Sequence, residues 1–203
     1  MNESDTLRRI HAAATTEFLA KGYQGASLRN IVKDAGVTTG AFYGYYDSKE
    51  DLFDALVSDT ARALFDRFCG DQNDFVDLPV AEQQRRMGES GKAYMLEMLD
   101  FACAHRDAVR LILQCADGTK YEGFIHQMVE IEVKATEDFI ARLRQEGVNV
   151  QTPSPVLAHI ITSGMFSAFF ELIIHDVPQE ERRACVAQLA DFQTAGWRQL
   201  MGL

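Results

Sequence analysis

Apolar residues recur along this chain at intervals of three and four, the spacing of one face of a helix. Leu7, Ile10, Ala14 and Phe18 predict a first helix over 4–21, which Gly22 stops. Leu28, Ile31, Val32 and Ala35 form the apolar face of a short helix capped by Ser27 and running to Asp34, and Gly36 permits a sharp turn after it. Thr38 or Thr39 caps a third short helix that reaches about Tyr45. Ser48 caps a fourth, with Asp51 placed as in a capping box, and Leu52, Leu56, Thr60, Ala63 and Phe68 continue its apolar side. The polar, acidic stretch 70–79 reads as a loop. Helices over 81–104 and 107–116 follow, then a turn at 117–120. Phe124, Met128, Ile131, Ala135, Phe139 and Leu143 line one side of a helix over 121–146 that Gly147 ends. Pro153 and Pro155 make a rigid break before two last helices, 155–175 and 179–201. No alternating strand pattern and no repeat occurs. The expectation is an all-α fold of about nine helices.

Composition narrows the class. The 203 residues are 47% hydrophobic and 25% charged, ordinary for a globular protein with a sizeable core. Net charge is −10, unevenly spread. Residues 1–50 carry six basic and six acidic side chains, so the whole deficit lies in 51–203. An acidic body weakens general attraction to phosphate without preventing a specific local contact. The cysteines, 69, 103, 115 and 185, form no CxxC and read as reduced, mostly buried thiols of a cytoplasmic protein. No signal region precedes the first helix, and the most apolar run, 160–174, is expected to be too short to span a bilayer, so no membrane partner is expected.

The stretch Val37–Leu52, VTTGAFYGYYDSKEDL, crowds Phe42, Tyr43, Tyr45 and Tyr46 into five positions. Two short helices about a turn at Gly36, behind a longer helix, describe a helix-turn-helix, whose second short helix enters the major groove of DNA. Small residues at its start, Thr38, Thr39, Gly40 and Ala41, allow close approach to base edges. A tyrosine ring packs against protein while its hydroxyl reaches a phosphate oxygen. Lys49, beside the start of the fourth helix, is placed to face a phosphate. Phe42 and Tyr46 read as core, and Arg8, Arg9 and Lys33 as solvated charges.

Residues 27–52, SLRNIVKDAGVTTGAFYGYYDSKEDL, closely resemble the DNA-binding signature of TetR-type (TetR/AcrR) transcriptional repressors. The resemblance rests on Ser27, Ala35-Gly36-Val37, Gly40, the pairs Phe42-Tyr43 and Tyr45-Tyr46, and Ser48-Lys49-Glu50-Asp51-Leu52, and covers about residues 6–55. It implies a helical homodimer with a reading head, residues 1–50, and a larger ligand-binding and dimerisation domain, residues 51–203. The DNA-binding candidates are Ser27, Arg29, Thr38, Thr39, Gly40, Tyr43, Tyr45 and Lys49. Thr39 stands where many members carry lysine or arginine, and Tyr45 where histidine is common. Gly44 is expected inside the recognition helix, loosening it.

In the body, Ile160, Ile161, Gly164, Met165, Phe166, Ala168, Phe169, Leu172 and Ile173 cover most of the circumference of the penultimate helix. A helix apolar nearly all round is buried on two sides: it is a central core helix within one monomer or, as the resemblance implies, meets its own domain on one side and a partner subunit on the other. Tyr94, Met98, Phe101, His105, Phe124, Met128, Met165 and Phe169 are candidate ligand-pocket walls, although such residues at helical spacing also describe plain core. Glu122, His126 and Glu130 share a helix face at metal-ligand spacing, but read better as a solvated face, and the Cys103/His105 pair is too weak a signal for a site. No metal or cofactor is expected. The chain therefore reads as a repressor, not an enzyme, released from a pseudo-palindromic double-stranded operator by a small apolar or cationic effector. The alternatives are a regulator controlled by a partner protein without a small ligand, and a small all-α enzyme.

Overall fold

The computed structural model describes residues 3–175 and 177–203, with the side chains of Glu3, Ser4 and Ser90 outside the description. Among the described residues there are ten helices and no strand. They are α1 Glu3–Gly25, α2 Leu28–Asp34, α3 Thr39–Tyr43, α4 Lys49–Val76, α5 Val80–Arg86, α6 Glu89–Ala104, α7 Arg106–Gln114, α8 Phe124–Gln145, α9 Pro155–Ile174 and α10 Gln179–Met201.

Two departures from the periodicity stand out. The stretch 70–79 is helical as far as Val76, not a loop. Phe68, Asp71, Gln72 and Phe75 keep the helical spacing through it and face one cavity, so packing holds the turn that a glycine and several acids disfavour. The end of α4 is tied off by Gln83, whose amide donates to the Phe75 and Val76 carbonyls at 2.8 and 3.0 Å. The expected helix over 81–104 is two, α5 and α6, divided at Gly88. This glycine has φ 98°, and a Cβ on it would lie 2.5 Å from Thr194 Cγ2 in α10. Close approach and a left-handed backbone both require glycine there.

The chain forms two compact units. The first comprises residues up to Ala63 together with His105–Phe124. Ile10, Ala14, Phe18, Ile31, Phe42, Leu52 and Phe53 are buried in it. Its extent differs from the expected boundary at residue 50, because α7 and the turn after it pack against α1. The Tyr23 N–H donates to the Cys115 carbonyl at 2.8 Å, and Asp54 accepts from the Tyr121 hydroxyl and from Lys120. No local pattern distinguishes a helix that returns to the head from one that stays in the body.

The second unit, Leu64–Ala104 and Ile125–Leu203, holds α5, α6, α9 and α10 with the end of α4 and all of α8 but Phe124. Phe139, Ile140, Leu143, Val150 and Met201 form a core cluster in it. α9 begins at Pro155, so the apolar element is 20 residues long, enough by length and composition to cross a membrane. Ala158, Thr162, Phe166, Phe169, Phe170 and Ile173 turn one side of it inward, whereas Val156 and Ile160 stay exposed. None of the four cysteines is in a disulfide, and only Cys115 is fully buried.

Candidate nucleic-acid interface and ligand cavity

The reading head is assembled by one carboxylate and one ammonium. Glu17, buried in α1, accepts from the Ser27 N–H at 3.0 Å, Lys21 at 2.9 Å and the Asn30 amide at 3.1 Å. These donors hold its carboxyl below the usual range, the Ser27 N–H foremost. Glu17 thereby fixes the start of α2, where the Ser27 side chain makes no cap bond. Lys49 donates to the carbonyls of Tyr23 (2.7 Å), Gln24 (3.4 Å) and Ala26 (3.0 Å), and lies 4.6 Å from the centre of the Tyr23 ring. An ammonium has three donors, and all three serve the chain leaving α1. The ammonium expected to face a phosphate thus closes the end of α1 over the entry to α2.

Gly36, at φ 62°, makes the turn between α2 and α3. Thr38 caps α3 through its hydroxyl, which accepts from the Ala41 N–H at 3.1 Å. Phe42 is wholly buried, and Tyr46 packs on His11 of α1 and shares a hydrogen bond with it. With those two rings inward, Thr38, Thr39, Gly40 and Tyr43 stay exposed on one short element. The Tyr43 ring meets Phe42 edge-on, centroids 5.4 Å apart, and is 52% exposed. Tyr45 is half-buried, and Arg29 is exposed on α2. Gly44 ends α3 as its C-cap at φ −76°, so it does not loosen the helix from within. Glu17 as an organising group was not singled out from the sequence. Its only signal there is Lys21 four residues on, a spacing shared by many surface pairs.

The second unit contains a cavity of about 220 Å³. Five helices each offer one face to it: Phe68, Asp71, Gln72 and Phe75 of α4, Tyr94, Met95 and Met98 of α6, Met128, Glu132 and Phe139 of α8, Met165, Phe166 and Phe169 of α9, and Trp197 and Met201 of α10. Of the expected pocket walls, Tyr94, Met98, Met128, Met165 and Phe169 line it. Phe101, His105 and Phe124 do not. Phe101 lies under the Arg67 guanidinium, 4.5 Å from its ring centre, His105 immediately precedes α7, and Phe124 opens α8 in the first unit.

The polar groups of this cavity were not read from the sequence. Burial, with a smaller push from Asp71, raises the Glu132 carboxyl to about 7, against the opposing effect of a hydrogen bond from Gln72. Burial, then Asp74 and Glu97, raises Asp71 to about 6. The Tyr94 hydroxyl is buried without a hydrogen-bond partner, and burial and the neighbouring acids push its pKa up. Arg142 also lines the space, but its guanidinium donates to the Val76 and Asp138 carbonyls.

His126, Glu130 and His159 bring potential metal-donor atoms within 4.8 Å of one another on the surface of this unit. His159 Nδ1 is 3.2 Å from Glu130 Oε1. These three residues could hold a cation. Glu122, grouped with two of them in the sequence, accepts from the Gly118 N–H at 2.8 Å instead.

Residues 10–56 match the family model described as bacterial regulatory proteins, tetR family. Over this segment the chain is similar to the DNA-binding region of TetR-family transcriptional regulators. The matched residues are the helix-turn-helix just described. Its sequence is similar to an uncharacterized HTH-type transcriptional regulator, YdgC, of Bacillus subtilis, 40% identical over 55 residues, 27% of this chain and 28% of that protein. A longer likeness is to the HTH-type transcriptional regulator SrpR of Pseudomonas putida, 27% identical over 161 residues, 79% of this chain and 63% of that one. The chain thus spans less than two thirds of either relative. The fold matches a tetR-family regulatory protein from Rhodococcus RHA1, TM-score 0.62 at 18% identity, over 97% of this chain and 98% of that one.

Proposed function

We propose that this regulator is a cytoplasmic homodimeric repressor that a small apolar or cationic effector, held in the cavity of the second unit, releases from a pseudo-palindromic operator. The observation that carries the reading is a cavity lined by five helices in a chain whose head is similar to a DNA-binding region. A pocket of this kind is the default ligand site of a protein. On the head, Thr38, Thr39, Gly40 and Tyr43 are the DNA-facing set, with Arg29 and Tyr45 flanking them and Ser27 at the start of α2. Homodimerisation is supported by the outer sides of α9 and α10, where Ile160 is 61% and Phe192 71% exposed. Large apolar side chains left open on adjacent helices mark a protein partner. A closed dimer pairs two heads and so favours two related half-sites.

Release requires that the effector bind the DNA-incompetent state more tightly, since equal affinity for both states shifts nothing. Operator fragments selected from genomic DNA by the purified protein provide the probe. Compounds that raise its melting temperature are then titrated with and without that DNA. The operator should weaken each effector by the factor by which the effector weakens the operator, through a coupling of ~1–3 kcal/mol. If every compound binds equally well in both conditions, control by a partner protein replaces control by a small ligand.

A further inference from the structure

The cavity is apolar but not neutral. Its walls are phenylalanine, methionine and the single tryptophan, and two carboxylic acids stand among them. Asp71 lies on α4 and Glu132 on α8. Among the described residues no lysine or arginine pairs with either. Arg142, the one basic side chain in the lining, is directed to main-chain carbonyls. Glu132 has a single neutral donor, Gln72, and the Tyr94 hydroxyl has no partner.

This combination is costly. A charge removed from water is stable only when paired, and a buried hydroxyl only when hydrogen-bonded. Burial lifts both carboxyls toward their neutral forms, Asp71 to about 6 and Glu132 to about 7, so near neutral pH each charge is held at a cost. Among the described residues, the Gln72 amide on Glu132 is the one side-chain partner either acid has. A purely hydrophobic pocket would be filled by leucine or methionine at positions 71 and 132, with a gain in packing. Two acids and a free hydroxyl among aromatic faces make physical sense when the missing partner arrives with a ligand. Aromatic faces are themselves attractive to cations.

We infer that the cavity is a site for a compact hydrophobic organic monocation, an ammonium carrying an aromatic or branched apolar body, with Glu132 as its counter-charge and Tyr94 and Asp71 beside it. The inference rests on the reading of this cavity as the effector site. Three features set the ligand class. The space is below the ~300–1,000 Å³ of typical drug-sized sites, so the body is compact. The apolar walls exclude a multiply charged or heavily hydroxylated compound. An anion meets two acids and no free cationic side chain.

The test uses two probes of the same shape. N,N-dimethylbenzylammonium carries a charged N–H where isobutylbenzene has a neutral C–H. Trp197 lines the cavity and is the chain's only tryptophan, so its fluorescence reports occupancy directly. Hydrophobicity alone favours isobutylbenzene. The counter-charge predicts the reverse, at least about tenfold tighter binding of the ammonium at pH 7.5, the scale of one charge-assisted hydrogen bond. Glu132→Gln should remove that preference while changing isobutylbenzene affinity by less than about threefold. Melting curves establish that the variant is folded. Asp71→Asn should lower ammonium affinity less than Glu132→Gln does.

Equal or tighter binding of isobutylbenzene by the unaltered protein overturns the inference, as does failure of both probes to bind. Undiminished ammonium binding by Glu132→Gln, or a larger loss in Asp71→Asn, overturns the assignment of Glu132. Operator binding separates this from the release mechanism. An ammonium that binds and leaves operator affinity unchanged refutes release alone. Isobutylbenzene that dissociates the operator as well as the ammonium does refutes the charge assignment alone.

Discussion

Lys49 shows how one side chain changes meaning between sequence and structure. Beside a helix start in a DNA-binding head it looks like a phosphate ligand, yet its ammonium donates to three carbonyls within the head. Lys49→Met keeps the stem and removes those donors. It should destabilise the protein by about 1.5–3 kcal/mol, the range for hydrogen bonds to a charged group. The dependence of operator affinity on salt should keep its slope, because no counterion-releasing contact is lost. Denaturant melts and binding at several salt concentrations measure the two effects; a slope lower by one would return Lys49 to the interface. Tyr43 makes the opposite case, being half exposed on α3. Tyr43→Phe should cost operator binding about 0.5–1.5 kcal/mol, similarly across operator variants, since a phosphate contact positions without specifying. A loss confined to one base sequence would instead make it a base contact.

At the scale of elements, the α5–α6 break is the informative case. The periodicity over 81–104 is helical throughout, and the backbone departs from it only where α10 comes too close. Gly88→Ala places a Cβ at φ 98° and 2.5 Å from Thr194 Cγ2. The loss should exceed the ~0.4–1 kcal/mol scale of compatible glycine exchanges, because both backbone and space oppose it. Thr194→Ala removes the nearest atoms and should recover part of the loss. Thermal melts of the two single variants and the double variant give the coupling. Full additivity would show that the break owes nothing to α10.

The whole molecule brings assembly and pH together. Phe169 looked in the sequence like both a seam residue and a pocket residue; it lies inside, 4% exposed, with Ile160 and Phe192 on the open faces. Phe192→Glu should therefore give folded monomers in sedimentation. Phe169→Glu should unfold the second unit, an unpaired buried carboxylate costing several kcal/mol. A dimer unaffected by Phe192→Glu would put the seam elsewhere.

The acids of the cavity make stability depend on pH. Burial pushes the Glu132 carboxyl up to about 7 from an ordinary 4.5, with Asp71, Tyr94 and Arg142 the titratable groups that line the same cavity. Between those values the folded chain binds more protons than the unfolded one, so this contribution is complete below pH 4.5 and is lost as pH rises through 7. Glu132→Gln should then raise apo-protein stability at pH 8 by about 1–3 kcal/mol and flatten its decline above pH 5. Unchanged melting curves at pH 5 and pH 8 would show that Glu132 is not desolvated in the folded state.

The sequence by itself determined the helical class, the helix-turn-helix and the inward Phe42, because these depend on periodicity over a few residues and on caps such as Thr38. It also named Tyr94, Met98, Met128, Met165 and Phe169, since core and cavity wall share one periodicity. Only the tertiary structure decided that α4 runs to Val76, that α7 belongs with the head, that Lys49 faces inward, and that Asp71 and Glu132 share one apolar space. Each of those rests on a partner distant in sequence. A charge looks the same in a sequence whether water or another helix surrounds it, and the free energy of that charge is set by which of the two does.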